Sequence, residues 1–187
     1  MMTFKDIYPQ DILDLIDNKD FNNTELKSPM IKPEIIANIL DITYNENLDT
    51  EFNTDARQIK PHTNDSFTTN RRKDMRSIAY ILLKTRTNYK NIRSDNWQAR
   101  INMHDRAASQ LADELLMPEK LIIHLIKEEM RPQYNIVKYT NLKTGVEEVD
   151  VKQYKKEDYY IILRVAELLQ VNDDVFKYRA RTLEIIH

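Results

Sequence analysis

Asp105-Arg106-Ala107-Ala108-Ser109-Gln110-Leu111-Ala112-Asp113-Glu114-Leu115-Leu116-Met117-Pro118 is the stretch that decides how this chain folds. Wound as a helix, it sets Ala108, Leu111, Ala112 and Leu115 on one stripe and stops at Pro118. Asp105 falls one turn before Ala108 on that stripe, so the spacing predicts a carboxylate aimed at a core. Such a carboxylate needs a cation, backbone donors or a metal to offset its desolvation.

Working outward, Ser94 reads as the cap of a long helix running through Met117, and Pro118 to Glu129 reads as the next helix, burying Leu121, Ile122 and Leu125. Upstream, Asn70 reads as the cap of a helix from Arg71 to Lys84 with Met75, Ile78, Ala79 and Leu82 inward. Pro9 to Asp17 buries Ile12, Leu15 and Ile16, and Pro33 to Leu40 buries Ile35, Ile36 and Ile39. Ile42-Thr43-Tyr44 is a candidate strand, and residues 45–70 are polar enough for an irregular hairpin or a loop. Alternating residues at 135–140 and 146–151 around Gly145 predict a β-hairpin. Two helices, about 157–169 and 173–186, meet at Val171-Asn172.

The 187 residues suffice for one core, and 1–187 reads as a single domain. Lys and Arg number 28 against 30 Asp and Glu, so no net field favours nucleic acid or an anionic membrane. The absence of Cys excludes disulfides and thiolate metal sites. No basic leader or membrane-length apolar run is present, which leads to the expectation of a cytoplasmic protein with no membrane partner. A single Gly, Gly145, rules out Gly-rich phosphate loops and shifts positive-φ positions onto Asn and Asp, with Asn22-Asn23, Asn45 and Asn172-Asp173 as candidates.

The stretch from 105 to 118 resembles the second signature of the ImmA/IrrE family of zinc metallopeptidases, ExxANxFAxxLLMP, in which the leading acid is the third zinc ligand. Residues 31–42, Ile-Lys-Pro-Glu-Ile-Ile-Ala-Asn-Ile-Leu-Asp-Ile, are similar to the family's amino-terminal helix and strand, with Asp41 where Gly is usual. Residues 165–172 and 175–179 resemble its closing helical pair. The resemblance implies an α+β, mainly helical, minimal zincin-like fold with a small sheet and a helix-turn-helix-like pair at 157–186; the 135–151 hairpin is an addition to that plan.

The family's catalytic helix carries HExxH: two His one turn apart hold zinc, and the Glu deprotonates the metal-bound water. Here the matching helix, 71–84, has neither His nor Glu, and Ala79, Tyr80 and Leu83 stand at those positions. A register one residue away is equally apolar. His62, His104, His124 and His187 are too scattered for two to share a helix face, and His104 and Asp105 diverge by about 100° on a helix. Asp105 is then a vestigial ligand, whose bland reading is a carboxylate paired with Arg or Lys or held by nearby backbone.

The resemblance with its chemistry removed implies a pseudo-peptidase: a non-catalytic regulator of transcription from a prophage or mobile element, needing no cofactor. Its implied partner is a helix-turn-helix repressor or a host protein. One alternative is an active zinc endopeptidase with non-standard ligands. The other is a small DNA-binding protein using Lys177, Arg179 and Arg181, although Asp173 and Asp174 occupy the end of that helix that would enter the groove.

Overall fold

The computed structural model describes residues 2–86, 97–130, 138–140, 147–149 and 156–185. It is mainly helical with a small mixed sheet, and its contacts group into two compact units, Met1–Pro118 and Glu119–His187. No helix among the described residues is long and apolar enough to cross a membrane.

The first unit begins with three short helices, α1 (Phe4–Ile7), α2 (Gln10–Ile16) and α3 (Lys19–Asn23). Asp6 fixes the start of α1 by accepting from the Thr3 N–H at 2.7 Å and its hydroxyl at 2.8 Å. Asn18 caps α3, accepting from the N–H groups of Asp20 and Phe21, and donates to the Ile39 carbonyl at 3.0 Å. Phe4, Tyr8 and Phe21 pack ring against ring with centroids 4.9–5.4 Å apart. The buried Tyr8 hydroxyl donates to the Leu115 carbonyl at 2.6 Å and so ties these helices to the end of the 105–118 stretch. On α2 the buried residues are Ile12, Leu13 and Ile16, with Leu13 taking the place expected of Leu15.

Pro33 opens α4 (Pro33–Ile39), which buries Ile36 and Ala37; Ile35, expected inside, is exposed. The helix closes with Ile42 N–H bonded to Ala37 O at 2.8 Å and Asp41 N–H to Asn38 O at 3.3 Å, with Asp41 at φ 52°. This is the Schellman arrangement that usually ends on Gly. Strand β1 (Thr43–Tyr44) then pairs in parallel with β3 (Gln58–Ile59), which pairs antiparallel with β2 (Phe52–Asn53), giving the order β1-β3-β2. Residues 45–70 thus contain a hairpin. Its turn is shaped by Asn53, which accepts from Ala56 N–H at 3.0 Å, and by Arg57, at φ 52°, whose guanidinium donates to the Leu40 carbonyl.

Helix α5 (Phe67–Arg86) starts four residues earlier than the Asn70 cap predicts. Ser66 stands at its head, and the Asn70 amide folds back to bond the N–H and carbonyl of Asp65 at 3.1 and 2.8 Å. Polar side chains compete for these orphan donors, and here the earlier hydroxyl wins. The buried face of α5 is Met75, Ile78, Ala79, Ile81 and Leu82, and it packs on α6 (Trp97–Leu116), whose Ala108, Leu111, Ala112 and Leu115 are buried as the stripe predicts. Arg72 grips Asp113 with two parallel bonds of 2.7 and 2.9 Å across that interface. Ser94 lies outside the described residues.

In the second unit, α7 (Glu119–Met130) buries Leu121, Ile122, Leu125 and Ile126. Strands β4 (Lys138–Thr140) and β5 (Glu147–Val149) form the expected antiparallel hairpin, with Tyr139 opposite Glu148; Gly145 and the rest of its turn lie outside the described residues. Helices α8 (Lys156–Leu169) and α9 (Asp173–Thr182) pack through Val165, Ala166, Leu169, Phe176 and Ala180. Asn172 accepts from Asp174 N–H at 2.9 Å as the cap of α9.

Among the described non-Gly residues, positive φ occurs at Asp17, Asp41, Arg57, Gln170 and Glu184, and at none of the expected Asn positions. Asn18 and Asn172 instead spend their side-chain carbonyls on helix N-caps, where an acceptor beside free N–H groups gains a hydrogen bond that an αL site does not offer.

Candidate functional site

The positions that the resemblance sets against HExxH lie on the middle of α5. Ala79 is fully buried, while Tyr80 and Leu83 are half-buried. Residues 72, 76, 80 and 84 follow one another at one-turn spacing down a second stripe of the same helix, and each has a defined neighbour. Arg72 holds Asp113. Arg76 reaches Asp105 at 3.4 Å, and its guanidinium carbon lies 5.7 Å from the centre of the Tyr80 ring. Tyr80 stacks on Phe52 of β2, with centroids 4.8 Å apart and planes at 17°. Lys84 lies 5.4 Å from the Phe52 ring. The hairpin therefore delivers an aromatic lid onto the Tyr80 stripe of α5.

Asp105 does not point into the core. Its side chain is 42% exposed and faces Arg76, so the prediction of an inward carboxylate is corrected. The buried carboxylate of α6 is Asp113, at 9% exposure, two turns further along the same side of the helix. The stripe argument places a residue on a face and says nothing of its depth.

These residues do not fit zinc. A zinc site takes three or four N, O or S donors, each oriented by a hydrogen-bonded neighbour. Ala79 and Leu83 offer no donor, the Tyr80 ring is stacked, and the one carboxylate is already paired with a guanidinium. Among the described residues no group of three or more His, Asp or Glu is placed to hold a metal. His124 is exposed, and His187 lies outside the described residues. His104 lines an open cleft of about 740 Å³ beside Phe52, Asn53, Arg57 and Lys84.

A second constellation has no local signature in the sequence. His62, just after β3, places Nδ1 2.7 Å from Asp74 Oδ1, and its backbone N–H donates to the same oxygen at 3.0 Å. Burial pushes the Asp74 carboxyl up from its ordinary value, against the opposing pull of His62. His62 and Asp74 line a cleft of about 540 Å³ together with Met30, Pro33, Glu34, Phe67 and Arg71. Arg71 is buried and donates to the Ile31 carbonyl through Nε at 3.0 Å and a terminal nitrogen at 2.8 Å; burial pulls it down to about 10. The Tyr44 hydroxyl is buried without a hydrogen-bond partner, and burial, then the charges of Asp74 and Glu34, hold its proton on. Eleven residues of loop and helix lie between His62 and Asp74, so periodicity could not have joined them.

On α9, Lys177 lies 3.4 Å from Asp173 and 3.6 Å from Asp174, Arg179 is half-buried, and Arg181 is exposed. The first-turn acids thus take up one of the three candidate phosphate-contacting cations. No family model, curated protein or solved structure matches the chain.

Proposed function

We propose that this chain is a pseudo-metallopeptidase: a zincin-like scaffold of the ImmA/IrrE type, kept for protein binding after its catalytic residues were replaced. On this reading it is a cytoplasmic regulator carried by a prophage or mobile element, acting by occupancy on a repressor or host protein. One observation carries the proposal. The α5 positions that would present HExxH carry Ala79, Tyr80 and Leu83, of which Ala79 is buried in the core and Tyr80 is stacked on Phe52, and the acid at the third-ligand position is paired with Arg76. The mechanism needs donors and a metal-bound water, and Ala79 and Leu83 supply no donor while Tyr80 and Asp105 are engaged in a stack and an ion pair.

Asp41 adds support. Its φ of 52° in a Schellman closure is the geometry for which the resembling family's Gly is suited, so the departure is one of residue type and not of backbone. The test has two arms. Protein purified without chelator is analysed for zinc, and the product of the adjacent repressor gene, where one exists, is incubated with it and weighed by intact-mass spectrometry. The proposal expects substoichiometric zinc, unchanged by Asp105→Ala, and a repressor that binds but stays intact. Stoichiometric zinc lost in Asp105→Ala, or zinc-dependent cleavage of the repressor, sinks it.

A further inference from the structure

His62 stands between two carboxylates. Its Nδ1 lies 2.7 Å from Asp74 on α5, and its Nε2 lies 3.9 Å from Glu51, the residue before β2. Glu51 and His62 flank the hairpin: the Glu51 carbonyl accepts from Lys60 N–H at 2.8 Å, closing the two strands two residues short of His62. The imidazole is therefore placed to join both strands to the helix.

A neutral imidazole has one N–H. Directed at Asp74, it leaves the Nε2 lone pair facing the Glu51 carboxylate, acceptor against acceptor. A second proton puts a positive charge between the two carboxylates and turns the 3.9 Å Nε2–Glu51 contact into an ion pair, longer than a hydrogen bond. Histidine is the side chain that changes charge between about pH 5 and 8. Other charged and titratable groups among the described residues lie close to it. From α4 and the residue before it, Glu34 acts on Asp74 and Lys32 lines the shared cleft. From β1 comes Tyr44, which Asp74 and Glu34 hold protonated. From α5, Arg71 is bonded to the Ile31 carbonyl, and Lys73 is bonded to Asp65 at 2.7 Å while also feeling Glu51.

We propose that His62 is a proton-operated clamp. Protonated, it locks the β2–β3 hairpin onto α5 through Glu51 and Asp74; neutral, it keeps the Asp74 bond and releases the Glu51 arm. Phe52 follows Glu51 directly and lies on Tyr80. The clamp thus sets how firmly the aromatic lid covers Tyr80, and acid conditions tighten it. This holds whatever partner the protein binds, because it concerns only the coupling of hairpin and helix.

The test is hydrogen exchange of the amides of residues 51–60 in the full chain, comparing the wild type with Glu51→Gln at the same pH so that intrinsic rates cancel. The Glu51 side chain is 62% exposed, so the substitution leaves the core untouched. Near pH 5.5 the variant exchanges roughly two- to fivefold faster, the factor expected of an exposed charge pair, and high salt reduces the difference. Near pH 8 the ratio returns to about one. In a His62→Gln background the Glu51→Gln effect is absent at both pH values. A ratio equal at both pH values overturns the clamp, as does an effect that persists without His62. Should the His62→Gln background fail to fold, the pH comparison in the single variant still decides.

Discussion

Gln170→Gly should stabilise the second unit, although it removes a side chain and its hydrogen bond. Gln170 follows α8 at φ 53°, with Val171 N–H bonded to Ala166 O at 3.0 Å and Gln170 N–H to Glu167 O at 2.9 Å. That is a Schellman closure with an L-residue carrying a Cβ at the position Gly occupies most easily. The left-handed conformation costs such a residue about 1–2 kcal/mol. Gly returns about 0.5–1 kcal/mol of this through its freer unfolded chain. The exposed Gln170 amide donates to Glu167 O at 3.1 Å, a bond that water readily replaces. The net gain is about 0.5–1 kcal/mol, or about 1–4 °C in Tm for a chain of this size. Gln170→Ala is the control: it loses the same hydrogen bond and keeps the strain, so Gly should exceed Ala by about 1 kcal/mol. Urea unfolding followed by far-ultraviolet circular dichroism measures all three proteins. If Gly is no more stable than Ala, the backbone at 170 is not strained and the reasoning fails. Asp41→Gly should gain less, because a short polar side chain tolerates the left-handed region.

Three further predictions follow from the first unit and α9. Arg72→Ala should destabilise by about 3 kcal/mol and Asp113→Ala by only about 1–2 kcal/mol, because removing the cation strands a carboxylate at 9% exposure whereas Arg72, at 42%, can reach water; equal costs in thermal unfolding would show that the two charges are desolvated alike. Tyr8→Phe should cost about 0.5–1.5 kcal/mol by leaving the last-turn Leu115 carbonyl without its 2.6 Å donor, while the ring cluster with Phe4 and Phe21 persists. The protein should produce no salt-dependent mobility shift of duplex DNA, since Lys177 is held by Asp173 and Asp174; a shift abolished by Lys177→Ala with Arg181→Ala would restore the DNA-binding reading.

The helices were legible because their apolar spacing is strong. Ala108, Leu111, Ala112 and Leu115 on α6, and Met75, Ile78, Ala79 and Leu82 on α5, are the residues the 3.6-residue stripe selects and the residues that are buried. The boundaries and caps were less so. Asn70 and Ser66 are both good N-caps, and which one opens α5 depends on whether Asn70 is already bonded to the Asp65 backbone, a local competition that composition does not rank. Ile35 and Leu15 were expected inside from short helices of seven residues, where a stripe of two or three positions leaves the inward direction underdetermined.

The candidate site divides along a physical line. What it lacks is readable from one segment, because metal ligands must be donors and Ala79 and Leu83 are not. What fills it is set by contacts between segments far apart in sequence. Arg76 meets Asp105 and Arg72 meets Asp113 only because α5 and α6 run antiparallel in one register: moving four residues down α5 moves eight back along α6. Phe52 reaches Tyr80 only because β2 is the edge of a sheet whose central strand is fixed to α5 by His62 and Asp74. Opposite charges and aromatic rings are plentiful in the chain, so composition gives no preference among the possible partners. The register that chooses them comes from the packed apolar stripes. An apolar pattern therefore determines where the polar and aromatic groups of the neighbouring α5 stripe end up, and a polar substitution at Ala79 would disturb the Arg76–Asp105 pair and the Phe52–Tyr80 stack even though Ala79 contributes to neither.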